Sequence, residues 1–492
     1  MRASIFAMTL LTAILFATPA ASQFITFQAD EFGAPLGDRL ETARLGAMGG
    51  MRFVIPDENR EINLSDFGRN IAARARDKDA GWSIENGYSK YRRTEDFLAN
   101  NGQSDFAQRQ VLTQEGVLAL ASYRTDEGRS FGGQFLWNAQ GFRQRVGAES
   151  RTRGPDISLY WNESVGPLEL GIGLTQLTDD ESLTSTDLFA IRHFSSLLRY
   201  QFGALYNFGG LDWGAQVEID QNTIEGQSRD GSGFHQDEFL WKRPTTRYQF
   251  SAFLPEGNDL EAGVNFVAFD REGREEVRVS WSDRFPDNPG GFNYDKELGT
   301  FEEDESGFRI ESRALYWLGY APRVGGFFAY EDQSSDVVES VNFIGSRRQG
   351  SVDSKRIELG GGFGMSFFEE AITVAVEGEM DTADLTETDR FGVSTDRTIR
   401  NVIARGGLEW FIRTNFALRA GYEWLAADRD VDGPFSLQTG NGANFGFGYL
   451  PRGGIFSIDG VFRYAGRNPK ETGGLDLETD DFELGLYTRL LF

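Results

Sequence analysis

Residues 482–492, Phe-Glu-Leu-Gly-Leu-Tyr-Thr-Arg-Leu-Leu-Phe, alternate in a way that leaves little freedom of fold. In an extended strand successive side chains point to opposite faces. Phe482, Leu484, Leu486, Thr488, Leu490 and Phe492 then share one face, and Glu483, Gly485, Tyr487, Arg489 and Leu491 the other. The same period returns in residues 198–208, where Leu198, Tyr200, Phe202, Ala204, Tyr206 and Phe208 oppose Arg199, Gln201 and Asn207. It returns in residues 416–426, where Phe416, Leu418, Ala420, Tyr422 and Trp424 oppose Arg419 and Glu423. Phe456, Ile458, Phe462 and Tyr464 oppose Asp459 and Arg463; Ile372, Val374 and Val376 oppose Glu377 and Glu379; Leu408 and Trp410 oppose Arg405 and Glu409. A period of two over so many segments selects strands over helices.

Composition says where such strands can live. The chain holds 42 Phe, 15 Tyr, 9 Trp and 59 Gly, yet only 40% of it is hydrophobic. That balance suits a closed sheet in lipid, where only every second residue must be apolar and aromatic girdles mark the interfaces. A soluble sandwich or propeller is the competing reading. After residue 22 no stretch reaches the roughly 20 apolar residues of a helical span. With no cysteine, disulfides, thiolate metal sites and a lipidated cysteine are excluded. Acidic residues outnumber basic ones 75 to 49, a formal charge of -26 that repels phosphates, so no nucleic-acid partner is expected.

Arg2, an apolar run over 5–16, and Ala20-Ala21-Ser22 before Gln23 follow the order of a secretory signal, predicted over 1–22. Together with an alternating strand that stops on an aromatic residue, the chain resembles bacterial outer-membrane β-barrels. The resemblance implies a Gram-negative outer-membrane location, contact with outer-membrane lipid and lipopolysaccharide, and an insertion signal at Leu486, Leu490 and Phe492 read by the barrel-insertion machinery. The fold class expected is all-β, a transmembrane antiparallel barrel with an even number of strands between 14 and 18.

Short turn signals recur at residues 164–167, 208–211, 255–259, 321–325, 413–415 and 451–454. Longer polar stretches separate them, at 222–243, 285–306, 333–354, 381–398, 428–438 and 466–480, and predict long loops on the opposite side. One segment is out of step. Leu260, Ala262, Val264 and Phe266 are apolar at even positions, but Val277, Val279 and Trp281 at odd ones. A β-bulge or a tight turn near 270–273 would explain this, and 260–281 taken as one strand gives about 18 strands.

Residues 23–78 differ in kind from the barrel expected over 79–492. Residues 43–50 read Ala-Arg-Leu-Gly-Ala-Met-Gly-Gly, and 62–73 read Ile-Asn-Leu-Ser-Asp-Phe-Gly-Arg-Asn-Ile-Ala-Ala. This resembles the FadL-like superfamily of fatty-acid and hydrophobic-compound transporters, whose N-terminal segment carries a Leu-Gly-x-Gly-Gly turn, an acidic-Asn stretch and Asn-Pro-Ala. Asn70-Ile71-Ala72 stands where that family has Asn-Pro-Ala. The resemblance implies a lumen blocked by an N-terminal plug, entry from outside, and exit by a kink or lateral gap. On it, Leu45, Gly46, Gly49, Gly50, Asn63, Asp66 and Asn70 are the expected gate.

His193, Ser195 and Asn207 have a spacing that resembles outer-membrane phospholipase A. On one strand, however, Asn207 lies roughly 46 Å from His193 at about 3.3 Å per residue, so no enzyme is expected. His193 and His235 are the only histidines, too few for a histidine metal site. Asp428, Asp430 and Asp432 with Gly433 match half of a calcium loop, although Thr439 stands where the bidentate glutamate belongs. Otherwise no cofactor is expected. Residues 302–305, Glu-Glu-Asp-Glu, read as solvated surface, and the run Gly360-Gly-Gly-Phe-Gly364 as close strand packing or room for a plug.

The polar faces predict a lumen lined by Arg199, Arg405, Arg419, Glu423 and Arg463, with Arg489, Glu261, Glu377, Glu379, Glu409, Asp459 and Glu483. These are either cross-strand ladders or a charged pore wall. The expectation is a monomeric protein for passive uptake of small hydrophobic or amphipathic molecules. The alternatives are a surface barrel whose acidic loops serve adhesion or cation bridging, and a general porin.

Overall fold

The computed structural model describes residues 47, 48, 51, 54 and 70–72, and the strands between 81 and 491 with parts of the turns that join them. Those strands are β1 (Gly81–Ala99), β2 (Gln108–Arg124), β3 (Arg129–Gln144), β4 (Ala148–Val165), β5 (Leu168–Ser185), β6 (Phe189–Phe208), β7 (Leu211–Asp230), β8 (His235–Lys242), β9 (Thr245–Phe253) and β10 (Leu260–Ser282). They continue with β11 (Asn293–Trp317), β12 (Pro322–Val341), β13 (Ser346–Phe367), β14 (Ile372–Thr388), β15 (Ser394–Arg413), β16 (Phe416–Val431), β17 (Ser436–Tyr449), β18 (Phe456–Lys470) and β19 (Leu475–Leu491).

All pairings are antiparallel, and β1 pairs with β2 on one side and with β19 on the other. The sheet therefore closes on itself and leaves no edge, which satisfies backbone N–H and C=O groups without water. The 19 segments occupy 18 positions, because β8 and β9 both lie between β7 and β10. They are one strand interrupted at Arg243-Pro244, and the register on both neighbours is the same before and after the break. Proline has no N–H to give the ladder, but Arg243 N still donates to Asn222 O and Glu272 N to Pro244 O.

Alternation sorts the faces sharply. In β14, Val374, Val376 and Met380 are 41%, 54% and 44% exposed on the outer face, whereas Glu377 and Glu379 on the inner face are 5% and 9% exposed. Trp161, Trp213, Trp410 and Trp424 all point outward. Among the described residues no helix is long and apolar enough to cross a membrane.

Three expectations need correction. The polar stretches are not long loops: 222–243, 285–306, 333–354, 381–398, 428–438 and 466–480 are largely strand, and each strand pair continues well past its apolar part. The ladder persists because opposed polar side chains bond across it, as Thr398 Oγ1 does to Asp384 and Arg356 to Asp381. Nor does anything flip at residues 270–273. β10 keeps its parity, with Asp270, Glu272 and Arg274 exposed on the face of Val264, and the irregularity lies further on, between Val277 and Arg278. The apolar pattern changed because the strand had left its apolar band.

Finally, the turn from β13 to β14 carries no glycine, proline or asparagine, and the sequence signals miss it. Phe368, Glu369 and Glu370 form it with φ of 53°, 57° and 68°, the left-handed region where Cβ crowds the backbone. At the β6–β7 turn Gly209 and Gly210 adopt similar angles, 66° and 79°, without that penalty.

Candidate functional site

The inner face holds two groups of N-terminal residues, each seated on wall glycines. Asn70, Ile71 and Ala72 lie on β5, β6 and β7. Asn70 Nδ2 donates to the carbonyls of Ala204 and Ala215 at 3.1 and 3.2 Å, and Ala72 N donates back to Asn70 Oδ1 at 3.0 Å. Ile71 N donates to Gln216 Oε1 at 2.7 Å, and Ala72 packs with Leu205 and Phe253. Gly171, Gly173 and Gly203 make the room: a Cβ on Gly171 would come 2.6 Å from Ala72 N, and one on Gly173 would come 3.1 Å from Ile71 Cδ1.

The second seat faces β12 to β19. Met48, Met51 and Val54 cluster with Ala375, and Phe327 packs against them; Ala47 packs with Val461 and Tyr487. Val54 N donates to Glu377 Oε1 at 2.8 Å. A Cβ on Gly364 would lie 3.1 Å from Val54 O, so the end of the Gly360–Gly364 run gives room to an N-terminal residue. Of the residues expected in the gate, Asn70 is placed as above; Leu45, Gly46, Gly49, Gly50, Asn63 and Asp66 lie outside the described residues.

The inner wall also carries paired charges. Arg199 meets Asp220 at 2.8 Å; Arg405 meets Glu379 at 2.6 Å and lies 3.7 Å from Glu423. Arg463 meets Glu423 at 2.9 Å, and Arg419 joins Glu409 at 2.8 Å to Asp459 at 2.6 Å. Of the residues expected in the lumen, Arg199, Arg405, Arg419, Glu423 and Arg463 thus lie in ion pairs along the wall, with Glu379, Glu409 and Asp459 among their partners. Sequence reasoning missed the equally buried Arg243 and Arg271, which share Glu305 at 3.0 and 2.7 Å, and Arg309, bound to Glu311, Glu331 and Glu358. The signal is present as alternation, Asp212-x-x-x-Gln216-x-Glu218-x-Asp220, but Arg243 and Glu305 fall in the polar stretches 222–243 and 285–306, where loops are expected. The run at 302–305 is correspondingly split: Glu302 and Asp304 are exposed, while Glu305 is 3% exposed and ion-paired.

Between β4 and β5 the ladder is interrupted. Pairing of β4 with β5 stops at Arg153–Asp180 and resumes at Ile157–Gln176, although β4 stays paired to β3 through Pro155. Pro155 has no N–H to donate, and Thr178 N donates to the Asp156 carboxylate at 3.3 Å. Outward neighbours Ile157, Leu159 and Trp161 are 42%, 55% and 44% exposed. Against β9 to β13 there is also a cavity of about 600 Å³, whose lining includes Phe253 and Phe327, one from each seat's apolar packing.

His193, Ser195 and Asn207 lie along the single strand β6. Asp428 and Asp430 belong to β16, where Asp428 pairs with Arg400 and Asp430 with Thr398; Asp432 lies outside the described residues. Leu486 is 47% exposed on the outer face of β19, Leu490 is half-buried, and Phe492 lies outside the described residues.

No protein-family model matches the chain, and no curated protein sequence matches it. Solved structures similar to it include the Pseudomonas putida toluene transporter TodX, with 12% identity over 91% of this chain and 97% of that one and a TM-score of 0.39. The Ralstonia pickettii toluene transporter TbuX gives 11% identity, 91% and 97% coverage and a TM-score of 0.33. The ferric citrate transporter FecA gives 10%, 85%, 80% and 0.43. Likenesses of this size leave the functional reading to the chain's own residues.

Proposed function

We propose that the protein is a monomeric outer-membrane transport protein that admits small hydrophobic or amphipathic molecules passively, past an N-terminal plug. The observation that carries this reading is the pair of seats. Val54 is bonded to β14 and Asn70 to β6 and β7, so both residues are held on the inner wall, and a chain held at these two places is suited to obstruct the lumen. The outward belt of Val, Phe, Leu and Trp suits hydrocarbon, and lipid and lipopolysaccharide are its expected surroundings after delivery by the barrel-insertion machinery. The interrupted β4–β5 ladder at Pro155 supports the lateral exit that the FadL-like resemblance implies, since parting the strands there breaks the Thr178 N–Asp156 bond but no register pair between residues 154–156 and β5. No cofactor and no bond-making chemistry are needed.

The test is deletion of residues 41–73 and reconstitution in planar bilayers and liposomes. Small-solute conductance should rise, and uptake of an apolar probe should lose saturation. Unchanged conductance would remove the plug. A large, steady conductance in the intact protein would instead favour a general porin, and a barrel that passes nothing in either form would favour a surface pedestal.

A further inference from the structure

A file of buried amides joins the Asn70-Ile71-Ala72 seat to the Arg309 ion cluster. Gln216 Oε1 accepts the Ile71 N–H at 2.7 Å, and Gln216 Nε2 faces Gln249 Oε1 at 3.5 Å, the longest link. Gln249 Nε2 donates to Asn265 Oδ1 at 3.0 Å, and Asn265 Nδ2 donates to Glu311 Oε1 at 3.0 Å. Arg309 Nε then holds the other oxygen of Glu311 at 3.2 Å, while its remaining nitrogens take Glu331 and Glu358. Gln216, Gln249 and Asn265 are 5%, 8% and 2% exposed. Water is therefore a poor substitute partner for any of them, and leaving one unpaired is costly.

The file has a direction. An ionised carboxylate only accepts, whereas an amide has one accepting end and one donating end. Glu311 therefore obliges Asn265 to present its NH₂, which turns the Asn265 oxygen toward Gln249; the same choice repeats at Gln249 and at Gln216. The last oxygen in the file lands on the Ile71 N–H. Each amide has two discrete orientations, so the file as a whole is a two-state element, the kind of structure through which coupling between sites can run.

We propose that Gln216, Gln249, Asn265 and Glu311 form a polarised relay by which the Arg309 cluster in the lumen keeps an acceptor oxygen on Ile71 and so holds the N-terminal segment in its seat. They are positioning residues. The inference rests on the seat described above, and it adds to the plug reading a control point on the wall about four strands away. A lysine at 311 would donate only. It would reverse every amide and set Gln216 Nε2 against the Ile71 N–H, donor against donor. A glutamate at 216 accepts whatever its neighbours do, and would restore the bond without repairing the relay.

The chain has no cysteine, so Ala72→Cys and, separately, Ala47→Cys provide single labelling sites in the two seats of the full-length protein in mild detergent. With a maleimide probe, Glu311→Lys should speed labelling at 72 by about tenfold, the scale of one lost buried hydrogen bond, and leave labelling at 47 unchanged. Adding Gln216→Glu should return it to within about twofold of the starting rate. Asn265→Leu cuts the relay without touching the ion pairs at Arg309; it frees the Gln216 amide without reversing it, and should show a smaller rise and the same rescue if the lysine variant fails to fold. No rise at 72 in either variant, a rise that Gln216→Glu does not reverse, or an equal rise at 47 would overturn the relay. Conductance recorded in parallel separates this from the plug reading: faster labelling with unchanged leak retains the relay and removes the plug.

Discussion

Ile71 and Gln216, separated by 145 positions in the chain, meet through a backbone N–H donated to a side-chain oxygen at 2.7 Å. A backbone amide buried on an inner wall needs an acceptor, and the wall supplies one from a strand that has no local relation to the N-terminal segment. The same arrangement recurs at Val54 and Glu377. Both seats thus use main-chain bonds, at Val54 and at Ile71, beside the buried packing of those two side chains, which makes them sensitive to the wall residues beneath them.

Asn70 makes three of the contacts in its seat, two of them to strand carbonyls. Asn70→Ala should loosen the segment by about 1–3 kcal/mol and raise leak, while the melting temperature of the barrel stays within a degree or two of the parent. Hydrogen exchange at Ile71 and Ala72 checks the first effect and thermal melting the second; a fall in melting temperature with no faster exchange would show that Asn70 serves the wall instead.

Gly171 is a seat glycine, since a Cβ there would press on Ala72 N and on Asn162 Oδ1 at 2.6 Å. Gly171→Val should displace residues 70–72 and raise leak, but less than deleting the segment does, because the second seat is untouched. Single-channel conductance of the variant should fall between those of the parent and the deletion.

At Pro155, restoring an N–H with Pro155→Ala should let β4 and β5 close their ladder. Ion conductance after plug deletion should be unchanged, whereas delivery of an apolar dye to the surrounding bilayer should slow severalfold. Equal dye delivery would place the exit elsewhere.

Glu409 is fully buried with Arg419. Glu409→Leu alone leaves the guanidinium with one partner and should cost about 3–5 kcal/mol, while Glu409→Leu with Arg419→Met should recover most of that. Urea unfolding in bilayers gives both values.

Glu369 holds a φ of 57° in the turn after β13. Glu369→Gly should raise stability by about 1 kcal/mol, because glycine adopts that region without the crowding of a Cβ.

Alternation made the architecture legible. The face of each strand followed from neighbours in sequence, so Arg199, Arg405, Arg419, Glu423 and Arg463 could be assigned inward before any pairing was known. Where polar residues occupied both faces, as in residues 222–243, the same rule failed, because a ladder strand outside the apolar band carries no hydrophobic signature. The turn at Phe368 was silent for a related reason: its residues adopt left-handed angles that their types do not advertise. The seat was half legible. Asn70 was named from a resemblance, but its partners Ala204, Ala215 and Gln216 were not.

What the residues decide alone is local: strand or turn, inner or outer face, apolar band or polar extension, each set by near neighbours through a period of two. What only the folded chain decides is which inner residue meets which. Arg419 could have paired with any of several wall carboxylates, and Gln216 could have faced any lumen group. The stagger of the strands in the closed sheet, a property of the whole ring, brings Asp459 to the first, and the seating of residues 70–72 on that wall brings Ile71 to the second.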